Sequence, residues 1–304
     1  MSEKKHPLES VRPDVATVLD NVTCPYCGED LTVSSHNTEH VVGRLFVPKG
    51  KLNQSWNLIL NSCVKCNTIK SSLEDDISSI TMQPNNAGSF AIDDEKLKAE
   101  AQRKLKSISR RSKKEVRLSH ETIEFTAGSK FDLHLSGNFI APPQIDDHRV
   151  YELARFQLGG LFYFLTYNPE SRKGGYWTGG FHPLHYTIRD DWGNELIVAF
   201  MHAVKTWELR LVAEIADGFF KVAIRRFAAG DCWSWALEWN HNYRLVGFFG
   251  DRKYAEDMVR TFPPLNTRRI AENHSDYVAI RKHKKLDKDQ DILFSDSTTY
   301  PPKN

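Results

Sequence analysis

The sequence predicts an α+β protein: a small metal-stapled module, then an α+β domain built on an antiparallel sheet. Three observations predict it. Two C-x-x-C pairs, Cys24/Cys27 and Cys63/Cys66, lie in a stretch without regular apolar periodicity. A module that small needs a staple, and a bound metal supplies one. Further on, runs such as HETIEFT and WELRLVAEIA alternate apolar and polar residues, as half-buried strands do. Between them Val150, Leu153, Ala154, Leu158, Leu161, Phe162 and Leu165 recur at helical spacing. Helices and strands in separate runs are the mark of an α+β arrangement.

The elements follow in chain order. Residues 1–20 read as a polar lead-in and a short helix, and both cysteine pairs fall within a module spanning 1–83. Residues 84–94, PNNAGSFAIDD, are turn-rich and read as a loop or hinge. From there to Arg117 ten Lys or Arg face three Glu among good helix formers, which predicts a basic helical linker over 84–117 with its hinge. That helix is either a solvated connector or a contact for a phosphate backbone. A domain over 118–273 opens with the strands HETIEFT and KFDLHLSG and the helix from Asp147 to Tyr167. Gly159 and Gly160 interrupt that helix, for close packing or a kink. A Gly-rich turn, GGYWTGGF, precedes strand-like runs at NELIVAFMH, WELRLVAEIA, FFKVAIRRF and YRLVGFFG. The polar residues 274–304 read as a weakly ordered tail.

Bulk properties bound the function. With 40% hydrophobic and 26% charged residues in 304, the chain has the composition of a globular protein of one or two domains. A net charge of +2 carries no global nucleic-acid signal, so any basic footprint must be local. The opening MSEKKHPLES has no apolar run, and the stretch Leu161–Leu165 is too short to cross a bilayer. The expectation is a cytoplasmic protein with no membrane partner. In a reducing compartment paired C-x-x-C motifs read as metal sites rather than disulfides. Cys232, alone in an aromatic stretch, reads as a small buried hydrophobe.

Cys24-Pro25-Tyr26-Cys27-Gly28 and Cys63-Val64-Lys65-Cys66 form two knuckles whose four thiolates suit tetrahedral, structural zinc. The insert between them holds Thr38-Glu39-His40-Val41-Val42, a loop GRLFVPKGKLNQS, and Trp56-Asn57-Leu58. The second knuckle runs on into Asn67 and Lys70 as C-V-K-C-N-T-I-K. An acidic residue with His, then Asn-Leu, then C-x-x-C-N-x-x-K, framed by C-x-x-C-G, resembles the HNH endonuclease family. The likeness is to its zinc-containing group, in which the last signature position is Asn. It covers about residues 22–75. The chain departs from the family pattern at Glu39, where Asp is commoner, and in the loop VVGRLFVPKG.

The resemblance implies a ββα module around a catalytic divalent metal. Glu39 and His40 would lie on its first strand, Asn57 near its second and Asn67 on its helix. His40, neutral near pH 7, is then the general base. Glu39 and Asn67 offer hard oxygen ligands for catalytic magnesium or manganese. Asn57 would brace the loop and orient His40, and Arg44 and Lys70 would contact phosphate. His36, four residues before His40, reads as an ordinary loop histidine.

The expected activity is phosphodiester hydrolysis in nucleic acid, with DNA favoured, in a restriction or anti-phage setting. A double-strand break would need two sites and hence a homodimer. Two alternatives stay open: a non-catalytic zinc module binding nucleic acid or a protein, and a ligand-gated nuclease with a C-terminal sensor domain. The aromatics of GDCWSWALEWNHNY read as core rather than as a stacking surface, and His182, His185 and His202 show no metal spacing.

Overall fold

Around the cysteines the chain forms a hairpin followed at once by a helix. The computed structural model describes residues 14–32, 35–83, 95–128, 134–176, 180–272 and 277–295. Strand β1 (Thr17–Val18) stands where the sequence suggests a short helix. Its neighbourhood is extended because Thr17 and Leu19 donate their backbone N–H groups to Asn57 and Ile59, at 2.9 and 2.8 Å. Strands β2 (His36–His40) and β3 (Leu58–Cys63) pair antiparallel, and β1 joins the other edge of β3 in parallel. Helix α1 (Val64–Thr81) starts on the next residue, with Cys63 as its N-cap. The expected hinge at 84–94 lies outside the described residues. Helix α2 (Glu95–Leu105) realises the basic helix, but it is not wholly solvated. Lys104 is buried and donates to the Leu45 carbonyl and, at 2.6 Å, to Ser78 Oγ.

The expected strand pair is present as β4 (Glu121–Gly128) and β5 (His134–Ala141). Helix α3 (Asp147–Leu165) follows, capped by the Asp146 carboxylate on the Arg149 N–H. Strand β6 (Phe181–Ile188) then leads to helix α4 (Glu195–Val204). The strand expected at NELIVAFMH is therefore this helix. Asn194 caps it by accepting from the N–H groups of Leu196 and Ile197, and its buried residues are Ile197, Phe200, Met201 and Val204. A cap plus i, i+3, i+4, i+7 burial overrides the β-propensity of Ile, Val and Phe.

Strands β7 (Glu208–Ile215), β8 (Phe220–Arg226), β9 (Cys232–Trp239) and β10 (Tyr243–Gly250) complete an antiparallel sheet in the order β6-β10-β9-β8-β7. Helix α5 (Arg252–Val259) precedes β11 (Arg268–Glu272) and β12 (Tyr277–Ile280), which join β4 and β5 in the order β12-β11-β4-β5.

The five-stranded sheet is covered on both faces. On one, Trp235, Leu237 and Trp239 of β9 join α3 and the cysteine module in a single cluster; on the other, Ala236 and Cys232 pack with α4. Burial on both faces explains why β9 reads as a near-continuous apolar run. It also makes the aromatics core, as expected. Phe46 of the β2–β3 connection meets Trp239 edge-on at 5.4 Å. At the β9–β10 turn, Asn240 and His241 both have positive φ. The Asn240 amide donates to Phe46 O at 3.2 Å and to Thr81 Oγ1 at 2.8 Å. Gly160 permits the close approach of α3, since a Cβ there would sit 2.6 Å from Val41.

The reading of 274–304 as a weakly ordered tail is corrected over 281–295. Leu293 is buried in the α4 cluster, with Leu286, Ile292 and Phe294 packed around it. Arg281 pairs with the buried Asp191, whose carboxylate also accepts from the Lys284 N–H at 3.1 Å. A few apolar anchors in a polar stretch suffice to dock it. Among the described residues no helix is long and apolar enough to cross a membrane.

Candidate metal centre and adjoining polar site

The first knuckle is a tight turn before a strandless loop. Gly28 has φ +75°, a left-handed value that glycine adopts without strain. Its N–H donates to the Cys24 carbonyl at 2.9 Å, and Tyr176 packs where a Cβ would stand. The second knuckle spans the β3–α1 junction: the Cys66 N–H points at Cys63 Sγ, 3.5 Å away. Cys24, Cys27, Cys63 and Cys66 converge, with all four sulfurs within 4.8 Å of one another.

This geometry fits a tetrahedral ion. Zinc–sulfur bonds of about 2.3 Å set ligand sulfurs about 3.8 Å apart. Cys27 and Cys63 are separated by 3.8 Å. Among themselves the four thiols titrate unequally. A hydrogen bond from Cys66 brings Cys24 down to about 5, while burial pushes Cys27 up to about 11. The bond to Cys24 likewise raises Cys66. Four thiols at this spacing cannot all ionise unaided, whereas a divalent cation compensates them. The cluster can hold a metal such as zinc, with all four positions filled by protein. It is the only grouping of three or more His, Cys, Asp or Glu ligand atoms among the described residues.

His40 ends β2, opposite Ile59, and is half-buried. Burial, then the charges of Arg44 and Lys70, lower its pKa below the ordinary 6.5. The imidazole is therefore neutral at pH 7. Asn57 braces the backbone just after it. The Val42 N–H donates to Asn57 Oδ1 at 3.2 Å, and Asn57 Nδ2 donates to Val42 O at 2.8 Å. Arg44 is exposed beyond the brace. His36 shares the His40 face of β2 and donates through Nδ1 to the Thr32 carbonyl at 2.6 Å.

Two expected residues are placed differently. Lys70 does not face solvent, where a phosphate would lie. Its ammonium is buried, 2.6 Å from Glu39 and 2.7 Å from Glu74, and donates to the His40 carbonyl at 3.0 Å. Burial alone would lower its pKa, but Glu74 and Glu39 raise it on balance. Glu39 is correspondingly a buried ion-pair partner, not a carboxylate presented to an open metal position. The physical reason lies in the pleat: Glu39 points to the side of β2 that α1 covers, while His40 points to the other.

Glu74 is a member of this cluster that the sequence reading does not single out. It accepts from the Gly43 N–H at 3.0 Å, and burial raises its pKa against the pull of Lys70. The i, i+4 spacing of Lys70 and Glu74 was the available signal. Asn67, in the first turns of α1, is half-exposed. It lines a groove of about 370 Å³ with Asn37, Ser71, Asp75 and Arg110. Its amide makes no hydrogen bond to His40 or Glu39 among the described residues.

The site thus has three parts: a closed four-cysteine centre, a buried Glu39–Lys70–Glu74 cluster behind β2, and a braced, neutral His40 with Asn67 on a separate groove. No protein-family model, curated protein or solved structure matches the chain.

Proposed function

We propose that the protein is a metal-dependent endonuclease, hydrolysing phosphodiester bonds of nucleic acid with His40 as general base. The observation that carries this reading is the state of His40: a neutral imidazole at a strand end, its following loop locked by Asn57, on a hairpin–helix unit stapled by four cysteines. A neutral imidazole at pH 7 can take a proton from water. Among the described residues the Asn67 amide has no hydrogen-bond partner, and its oxygen would hold magnesium or manganese, hard ions that prefer such donors. The ion would supply Lewis acidity at the phosphate and leaving oxygen. Glu39, paired with Lys70 on the opposite side of β2 from His40, is not counted among the ligands of that ion. Arg44, exposed beside His40, is the cation available to a phosphate. DNA is the favoured substrate, and two copies acting together would cut both strands.

The test is nicking of supercoiled plasmid with magnesium or manganese. His40→Ala is expected to lose on the order of 10²–10⁴ in rate. The parent rate is expected to rise with pH through one ionisation below 6.5 and to be flat above it, since the base works only when deprotonated. Cleavage by His40→Ala as fast as the parent would sink the assignment.

The Lys70 pairing of Glu39 favours a second reading, a non-catalytic metal-stapled module that binds nucleic acid or a protein. Tight duplex binding without cleavage in either metal would select it.

A further inference from the structure

The end of the five-stranded sheet at the β9–β10 turn carries a pocket of about 450 Å³, within the usual range for small-molecule sites of roughly 300–1,000 Å³. It opens between β8–β10, the single turn of 3-10 helix at Arg189–Asp191, and the docked segment 285–291. Its floor is Arg244 of β10, only 3% exposed. The guanidinium lies 3.6 Å over the Trp192 ring. Its Nε donates to Glu238 at 3.0 Å, and its Nη2 pairs with Asp291. Arg244 Nη1 and Trp192 Nε1 are both buried donors without an acceptor. A buried donor left unpaired costs about 1–3 kcal/mol, so two together at one pocket call for an acceptor.

The rim has the matching charge. Arg189, Lys221, Lys285 and Lys288 join Arg244 around the opening, against the carboxylates of Asp190, Glu238 and Asp291. Lys221 and Lys285 are paired with Glu214 and Asp190 at 3.1 and 3.3 Å, and even with Glu214 counted the cations around the opening outnumber the carboxylates. The planar guanidinium is already held on two sides, so its remaining edge is pre-oriented towards an incoming oxyanion.

We infer that this pocket binds a small phosphorylated molecule, with its phosphate or diphosphate group on Arg244 Nη1 and Trp192 Nε1. The net positive lining suits an oxyanion, and a phosphate monoester is a compact one that is doubly ionised near pH 7. The pocket is concave and its donors are buried at the floor. A compact phosphate group can enter it, while a phosphate within a duplex backbone cannot reach them. Glu238 and Arg244 lie on the face of the sheet that α4 covers, opposite the face that joins the cysteine module, and the inference does not depend on the nuclease reading.

The experiment is calorimetric titration of the full chain with inorganic phosphate, with pyrophosphate and with a short DNA duplex. The variants are Lys285→Glu/Lys288→Glu, both on the exposed rim, and Trp192→Phe, which removes the donor and keeps the ring. Thermal melting of each variant checks the fold. The expected result is saturable binding of phosphate or pyrophosphate, weakened at least about tenfold by the rim variant and about threefold by Trp192→Phe. No binding of either anion up to about 5 mM overturns the proposal. So does anion binding that neither variant changes. Duplex binding that the rim variant abolishes, without anion binding, also overturns it, in favour of a nucleic-acid surface.

Discussion

Lys70 shows how burial changes a residue's meaning. In the sequence it is one cation among many beside a cysteine pair. In the fold its side chain is 1% exposed and its ammonium is flanked by Glu39 and Glu74. Removing one member of a buried ionic group leaves uncompensated charge and costs about 3–5 kcal/mol. Lys70→Ala is therefore expected to lower the unfolding free energy by about that amount in denaturant titration. A surface cation serving a phosphate would leave stability unchanged. Gly43 belongs to the same cluster, because a Cβ there would stand 2.1 Å from the Glu74 carboxylate. What could be read in advance at this scale were the residue types that attract metals and take protons: the four cysteines, His40 and the bracing Asn57. What could not be read was which side of β2 each residue faces. Glu39 and His40 are neighbours in sequence and opposite in space, and only the strand register decides it.

At the scale of elements, the knuckle at Cys63–Cys66 does two jobs, ending β3 and starting α1. A metal held by the four cysteines would therefore tie down the entry of α1 through its N-cap. The cysteines are expected to carry one zinc ion per chain, measured by metal analysis. Stripping it with a chelator is expected to lower the melting temperature by at least about 5 °C. An unchanged melt after verified metal loss would show that the cluster is not a staple. The contrast between α3 and α4 explains the uneven legibility of elements. The α3 residues repeat at helical spacing over five turns, so the pattern outvotes local propensity. Helix α4 is short, and Glu195–Val204 is rich in residues that also suit strands. Its decisive signal is the single Asn194 cap. Strands β7, β8 and β10 were legible by alternation and apolar content; β6, with Pro183 and two histidines, lacked both cues.

For the whole molecule, the cysteine module and the five-stranded sheet share one apolar cluster. Phe46 and Val47 of the module are buried against residues far along the chain, and Ser55 Oγ accepts from the Ala216 N–H at 2.8 Å. The module is thus not self-sufficient. Residues 1–83 expressed alone with zinc are expected to give no cooperative thermal transition, while the full chain gives one. A sharp melt of the fragment would contradict the shared core. Composition and motif reading divide the chain at such a boundary because sequence shows where local chemistry changes, not where surfaces meet. The hydrogen bonds of Asn240 have a further consequence, in time rather than space. The bond to Thr81 spans 159 residues. A ribosome adding roughly 5–20 residues per second completes α1 roughly 8–30 s before that partner exists. Through that interval Phe46 lacks Trp239, and the growing chain offers a sticky apolar edge to chaperones or to its neighbours on the same message.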